Sequence, residues 1–366
     1  MATQWFTGGA LPPPPGIEPN FVDPPSQLHG NIALHTVFLS VATLAVAMRL
    51  FTRLYMLRTR LGIDDFFCVL AYCLTITFTG LMFYCFSRGI GRHMWDVPIT
   101  WLSRTLKYFT IGQYIYTMLT AAVKLAFLFF YYRIFPRHIN IRYFISFGIA
   151  FVSASHLTLF FLTIFSCSPV SHAWDAAFPG RCWNPKILPY VSGGLSSATD
   201  LYVLLLPIHT LWGLNMTTRK RIRLAAVFGL GIFAFAASVV RLAMTHVLTD
   251  SQDATWNISR ISRWATIEAY TGIICSCLPL LPPLLDKYWP KDFGSSIYRF
   301  WSSGSRRKSL DNNKAESEVS LQLQQQNPWQ RANYVSPDSV SVQKEYRYRS
   351  DDGNFPGRVN AWERIA

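Results

Sequence analysis

Four charged residues stand inside long apolar stretches of this 366-residue chain: Lys124, Asp200, Arg241 and Glu268. An ionised side chain at bilayer depth costs about 2.5–3.5 kcal/mol on insertion scales, so each needs an opposite charge or a wet cavity. The helical rise of about 1.5 Å per residue places Lys124 about 24 Å and Asp200 about 20 Å from one end of their stretches. Arg241 lies about seven residues, and Glu268 about four, from that same end. The expected pairs are therefore Lys124 with Asp200, deep, and Arg241 with Glu268, shallow. Such pairs can fix helix packing, line a ligand cavity, form a two-state switch or lie on a proton or ion path, and all of these readings stay open. Asp200 and Glu268 could also serve as buried acids in catalysis, although their estimated depths differ by about 14 Å. Asp64-Asp65 open another apolar stretch, where carboxylates satisfy the free amides and dipole of a helix start. They could also bind the neighbouring Arg58 or Arg60. His35, His156 and His246 fall within apolar stretches at spacings that match no metal motif, and they are expected to hydrogen-bond between helices. No metal site, phosphate-binding loop or Ser/His/Asp order stands out.

The elements that must position these residues follow from where charge is scarce. The chain is 51% hydrophobic and 15% charged, whereas soluble proteins carry roughly 25% charged residues. Residues 288–366 alone hold 12 Lys/Arg and 9 Asp/Glu, which leaves too few for the surface of a water-soluble domain. Collagen, coiled coil, disulfide-rich secreted scaffold and wholly disordered chain are excluded on the same grounds. A bilayer core needs about 20 mostly apolar residues in helical form. Seven segments qualify, at roughly 31–52, 66–87, 108–132, 143–166, 187–211, 224–248 and 264–285. The expected fold is all-α, a polytopic seven-transmembrane helix bundle over residues 31–287. It is preceded by a Pro-rich extracellular arm (1–30), extended and mobile, and followed by a disordered cytoplasmic tail (288–366) rich in Ser, Gln and Asn. No cleavable signal peptide is expected, because the first 29 residues lack a basic start and an apolar stretch.

Orientation follows from Lys and Arg near the span ends. The connections after the first, third and fifth spans hold 11 basic residues, and the alternate connections hold 8. The first 30 residues hold none, and the basic tail falls on the richer side. The amino terminus is thus expected outside and the carboxyl terminus in the cytoplasm. The formal net charge of +14 tracks this topology, so it is no case for a nucleic-acid partner.

Five cysteines, Cys68, Cys73, Cys85, Cys275 and Cys277, lie within spans and are expected to be small buried apolar residues. Cys167 and Cys182 fall together in an outer connection, where they would oxidise. Closing a loop of about 15 residues contributes roughly 3 kcal/mol in the chain-entropy model, with free thiols as the alternative. Asn257-Ile258-Ser259, placed in an outer loop, is a glycosylation candidate, and Asn215-Met216-Thr217 is a sequon on the cytoplasmic side. Ser309, after Arg306-Arg307-Lys308, is a candidate for a kinase that reads basic residues.

Several short motifs share an order and spacing with a known family. They are Gly62-Ile63-Asp64-Asp65, Phe130-Tyr131-Tyr132-Arg133-Ile134-Phe135, and Cys167-Ser168-Pro169 with Trp174 and Cys182. Asp200 with Leu204-Leu205-Leu206-Pro207, Arg241, and Trp264 through Ile267-Glu268 to Cys277-Leu278-Pro279 complete the set. Over about residues 45–287 the chain resembles the fungal rhodopsin-like integral membrane proteins. That family includes receptor-like proteins of pathogenic fungi and proteins encoded in satratoxin-type metabolite clusters. The resemblance implies a seven-helix bundle and little settled biochemistry. It does not imply a chromophore here, since a retinal Schiff base needs a lysine in the seventh helix and this span has none before Lys287. No cofactor is expected. The cysteine-rich extracellular domain of some receptor-like relatives has no counterpart in an arm without cysteine.

The function expected is that of a receptor-like sensor of an extracellular or membrane-dissolved cue, at the plasma membrane rather than an endomembrane. Its partners would be membrane lipids, a small-molecule or lipid ligand, and a cytoplasmic signalling partner. The chain lacks an acidic-Arg-Tyr end to the third span and an Asn-Pro-x-x-Tyr in the seventh, so coupling to a G protein is unsupported. The alternatives are a membrane-embedded isomerase or cyclase of secondary metabolism, and a transporter or structural scaffold. A non-enzymatic role is favoured. Asn215 is expected to stay unglycosylated, read as no mobility shift on glycosidase treatment; a shift would overturn the topology.

Overall fold

The computed structural model describes residues 8–134, 139–175, 179–184, 187–211 and 218–281. Seven α-helices occur among them. They are α1 (Leu28–Phe51), α2 (Ile63–Ser87), α3 (Ile99–Ile134), α4 (Ile139–Ile164), α5 (Ile187–Leu211), α6 (Thr218–Asp250) and α7 (Ala254–Cys277). A π-helical turn, Thr52–Met56, continues α1. Two short strands, β1 (Cys167–Ser168) and β2 (Arg181–Cys182), pair antiparallel in the α4–α5 connection. The Cys167–Cys182 disulfide joins them. Five helices are long and apolar enough to cross a membrane by length and composition: α1 with its π turn, α2, α3, most of α4, and Phe228–Val247 of α6. In α5, Ser192, Ser196, Ser197, Thr199 and Asp200 put a polar stripe along the helix, and α7 carries Arg260, Arg263 and Glu268.

Neighbours in sequence pack against each other, and α1 packs on α7 to close the ring, while α3 also touches α5 and α7. The third helix is therefore the centre of the bundle. Of its most apolar stretch 56% is buried, against 22–33% in the other four. Its interior turns are small or short-chained (Gly112, Thr117, Thr120, Ala121, Ala122, Ala126), which lets neighbouring backbones approach closely. One core cluster joins α1, α2, α3 and α7 around Phe78, Met82, Leu119, Tyr270 and Ile273. A second joins α3, α4 and α5 around Leu128, Ile145, Val152 and Val203. Outward, Val37, Leu44, Phe66, Phe147 and Phe161 are exposed, the arrangement expected of helices that face lipid rather than water.

Several boundaries differ from those read off hydropathy. The third and seventh helices begin at Ile99 and Ala254, roughly ten residues before the apolar stretches do. Each gains polar turns that the bundle itself satisfies. Asn257 thus lies in the first turn of α7, buried, its side-chain amide donating to the Asp253 carbonyl at 3.0 Å. The expectation of a glycosylated loop at this asparagine is corrected: the acceptor amide is inside the fold. Cys73 also differs, being exposed where burial was expected. The amino-terminal arm is hydrogen-bonded to the α2–α3 connection at three points between residues 8 and 27. Ala10 N donates to the Val97 carbonyl at 3.0 Å, Asn20 N to Asp96 Oδ1 at 2.9 Å, and Gln27 N to the Gly91 carbonyl at 2.9 Å. Arg263 of α7 reaches up to Gln27 and Asn31, at 2.6 Å each. At the same end His93 is stacked between Trp95 and Trp256 and meets Asp253 at 2.6 Å, tying the α2–α3 connection to the start of α7. The tail from 288, Ser309 and Asn215 lie outside the described residues.

Two helices approach closely at Gly272, where a Cβ would come within 2.8 Å of Val123 Cγ1, part of a stiff β-branched side chain. Gly80 faces nothing within 4 Å. Gly272→Leu should therefore cost about 1–3 kcal/mol by overpacking, read as a lower unfolding temperature in nanodiscs, whereas Gly80→Ala should show no loss.

Candidate functional site

The polar stripe of α5 turns toward α3, and both ion pairs expected from the sequence form. Lys124 Nζ lies 3.3 Å from Asp200 Oδ1. It also donates to the Ser196 carbonyl (2.9 Å), Ser196 Oγ (3.0 Å) and Thr199 Oγ1 (2.7 Å). Arg241 Nε of α6 donates to Glu268 Oε2 of α7 at 2.8 Å. The structure departs from expectation in depth, because the two pairs are not separate. Ser196 Oγ accepts from Lys124 and donates to Glu268 Oε1 at 3.1 Å, which links four helices through one hydroxyl. The longer α7 explains this. Counted from Ala254, Glu268 is about 21 Å along its helix, level with Asp200 at about 20 Å along α5. Lys124, Arg241 and Glu268 are 3%, 8% and 5% exposed, so the network is desolvated. Every charge in it has an opposite charge in contact, the condition under which burial is tolerated.

A small cavity adjoins the network, lined by Tyr116, Thr117 and Thr120 of α3, His156 and Leu159 of α4, Ser192 and Ser196 of α5, and Arg241 of α6. The Arg241 guanidinium lies over the Tyr116 ring, 5.5 Å from its centroid. Tyr116 OH, Arg241 Nη2 and Asp200 Oδ2 have no hydrogen-bond partner among the described residues.

A second ionic station sits at the end of the bundle away from the arm. Asp64 and Asp65 do open α2, and Asp65 Oδ2 accepts from Gly62 N at 3.1 Å, so the helix-start reading is realised. Their ionic partners, however, are not Arg58 or Arg60. Arg49 in the last turn of α1 donates to Asp65 Oδ1 (2.9 Å) and Asp64 Oδ2 (2.7 Å), Arg53 to Asp64 Oδ2 (2.8 Å), and Arg133 of α3 to Asp64 Oδ1 (3.1 Å). Arg49 is 1% exposed and also donates to the Ser276 carbonyl of α7 at 2.5 Å. Arg49 and Arg53 are among the 11 basic residues that hydropathy assigns to the connections, because the uncharged run of the first span ends at Met48. Their four-residue spacing, which puts both on one helix face opposite Asp64-Asp65, was the available signal. At Gly62 a Cβ would stand 2.7 Å from Arg133 Nη1, so any larger residue would have to displace that guanidinium. Beside this station Cys68 and Cys277 face each other, their sulfurs 3.8 Å apart.

The histidines behave unequally. His35 Nε2 meets Thr266 Oγ1 of α7 at 3.1 Å inside a box of Phe78, Phe83, Phe86 and Tyr270, so it bonds between helices as expected. His156 instead bonds back to the Val152 carbonyl of its own helix at 3.0 Å. Tyr116, Ser196 and Thr199 were not legible in advance, because tyrosine, serine and threonine in an apolar span carry no charge signal.

Both stations fall within a recognised domain: the fungal rhodopsin domain matches residues 48–287. The chain belongs to the fungal rhodopsin domain family. Among relatives of this fungal rhodopsin-like protein is the fugralins biosynthesis cluster protein 2 of Gibberella zeae, 29% identical over 78% of this chain and 72% of its own length. A SAT4 family membrane protein of Emericella nidulans is 31% identical over 62% of this chain and 57% of its own length. The receptor GIN3 of Arthrobotrys oligospora is 23% identical over 85% and 77%. No solved structure matches the chain.

Removing one member of a buried pair strands the other, at a cost of about 3–5 kcal/mol. Arg49→Ala should therefore abolish accumulation of folded protein, and Asp64→Asn with Asp65→Asn should recover part of it, read by size-exclusion chromatography of a fluorescent fusion. In the same assay Lys124→Asp should lose the fold, and adding Asp200→Lys should restore it in part.

Proposed function

We propose that this fungal rhodopsin-like protein is a receptor-like sensor of a small extracellular or membrane-dissolved cue, working without retinal. The observation that carries the reading is the linkage of the Lys124–Asp200 and Arg241–Glu268 pairs through Ser196, beside a cavity within the bundle. A ligand that shifts one of α3, α5, α6 or α7 must rearrange ionic bonds held by all four. Packed ionic networks of this kind have discrete arrangements, which is what a two-state switch needs. A relative whose name describes a receptor adds support.

In this reading all seven helices cross the plasma membrane, with the arm outside and the tail in the cytoplasm. The excess of Lys and Arg in the connections on the tail side supports that orientation. Ser309 in the tail would be a phosphorylation site near anionic lipid, and a cytoplasmic signalling partner would read the basic connections. Retinal is disfavoured because α7 contains no lysine over Ala254–Cys277 and the Lys124 amine is committed to four oxygen atoms.

A second reading, a membrane-embedded isomerase or cyclase, is favoured by one observation: Asp200 and Glu268 lie at about one depth and belong to one network, joined through Lys124 and Ser196. Relatives named for biosynthesis clusters accord with it. A transporter remains the third class.

Purified protein in nanodiscs is expected to retain a component of a fungal lipid extract that Asp200→Asn and Glu268→Gln release, detected by mass spectrometry. A deletion strain should keep its metabolite profile and lose its response to that component. An altered metabolite with an intact response would sink the sensor reading and favour the enzyme.

A further inference from the structure

The cavity beside the ionic network has a donor character of its own. Tyr116 and Arg241 are each 8% exposed, and Tyr116 OH and Arg241 Nη2 have no hydrogen-bond partner among the described residues although both residues line the cavity. Leaving a buried donor unsatisfied costs about 1–3 kcal/mol, and more for a charged group. Three neighbouring hydroxyls have already spent their hydrogens, Ser196 Oγ on Glu268 Oε1 and the two threonines on their own helix. Thr117 Oγ1 donates to the Gln113 carbonyl at 3.0 Å and Thr120 Oγ1 to the Tyr116 carbonyl at 3.1 Å. His156 Nδ1 is occupied by the Val152 carbonyl. The two buried donors left without a partner are on the tyrosine and the guanidinium, and the group they fit is an acceptor.

The charge balance then selects among acceptors. Arg241 is already compensated by Glu268 at 2.8 Å, and Lys124 by Asp200 at 3.3 Å. A carboxylate or phosphate entering here would bring one uncompensated negative charge into a desolvated site, at a cost of several kcal/mol. A neutral carbonyl oxygen would take both hydrogens without that cost. The cavity has room for about one water-sized group, the size of a single carbonyl oxygen.

We propose that Tyr116 and Arg241 form a binding site for the carbonyl oxygen of a neutral, otherwise apolar, membrane-dissolved molecule such as a ketone, ester, lactone or amide. The site deepens the sensor reading and rests on it: the carbonyl would contact the same guanidinium that anchors Glu268, so occupancy bears directly on the ionic network.

The test uses the full chain in phosphatidylcholine nanodiscs and three photoactivatable, alkyne-tagged probes of equal chain length: a methyl ketone, the corresponding carboxylate and the corresponding alkane. Peptides of α3 to α6 should be labelled by the ketone about tenfold or more above the other two, the range of two hydrogen bonds of which one is charge-assisted. Tyr116→Phe, which keeps the ring against Phe78 and beneath Arg241, should lower ketone labelling about threefold to tenfold and leave alkane labelling unchanged. If that variant does not accumulate, Ser192→Leu, which fills the cavity from α5 without touching the ion pairs, should abolish the preference for the ketone. Equal labelling by alkane and ketone, a preference for the carboxylate, or labelling indifferent to Tyr116→Phe (the cavity then holding water) would each overturn the proposal. Ketone labelling without any response of a reporter strain would sink the sensor reading and leave the site standing; a response to lipid extract without ketone labelling would do the reverse.

Discussion

Taking charge into an apolar bundle is costly unless each charge meets its opposite, and this chain buries charge at two separate stations. The mid-bundle station binds Lys124, Asp200, Arg241 and Glu268 through Ser196. The station at the end away from the arm binds Arg49, Arg53 and Arg133 to Asp64 and Asp65, with Ser276 completing Arg49. Neither pairing can be relaxed one residue at a time, because the partner left behind would be an uncompensated charge in low dielectric. Helix order, helix rotation and the depth of each helix must therefore all satisfy the same set of contacts. Small residues on α3 and Gly272 on α7 permit the close approach that these contacts demand.

Two helices belong to both stations. The third supplies Lys124 to one and Arg133 to the other, and the seventh supplies Glu268 and the Ser276 carbonyl. A helix is stiff over the eight or nine residues between such positions, roughly 12–14 Å. A shift of α3 or α7 at the mid-bundle pairs would therefore also displace its contact in the ionic cluster at the far end. Near the arm, the Trp95–His93–Trp256 stack and the contacts from Arg263 hold the other end of α7. This is the mechanical basis for reading the centre of the bundle as the place where a cue acts.

The relatives include one named for a receptor and others named for biosynthesis clusters. A buried pair of carboxylates with basic partners and a small cavity can serve as a ligand-sensitive latch or as a catalytic surface. What distinguishes them is whether the bound molecule leaves changed.

Much of the fold was legible in the chain, and for a definite reason. Hydropathy is an additive, local property, so runs such as Phe66–Ser87 declare a lipid-facing helix without reference to any partner. The isolated charges were legible too, since an unpaired ion at that depth is untenable and only two acids and two bases were available to pair. Helix ends were less so: α3 and α7 extend into polar sequence because other helices, the arm and the connections satisfy those turns, and no window of hydropathy records that. Arg49 illustrates the limit. By itself it reads as the first residue of a basic loop, and only the approach of Asp64, Asp65 and Ser276 makes it one of the most buried side chains in the bundle. Sequence alone determined which charges had to be neutralised, because sign and burial are properties of the residues and their runs. Tertiary structure alone decided that the two central pairs share one hydroxyl and one depth, because the relative heights of packed helices depend on contacts between segments far apart in the chain.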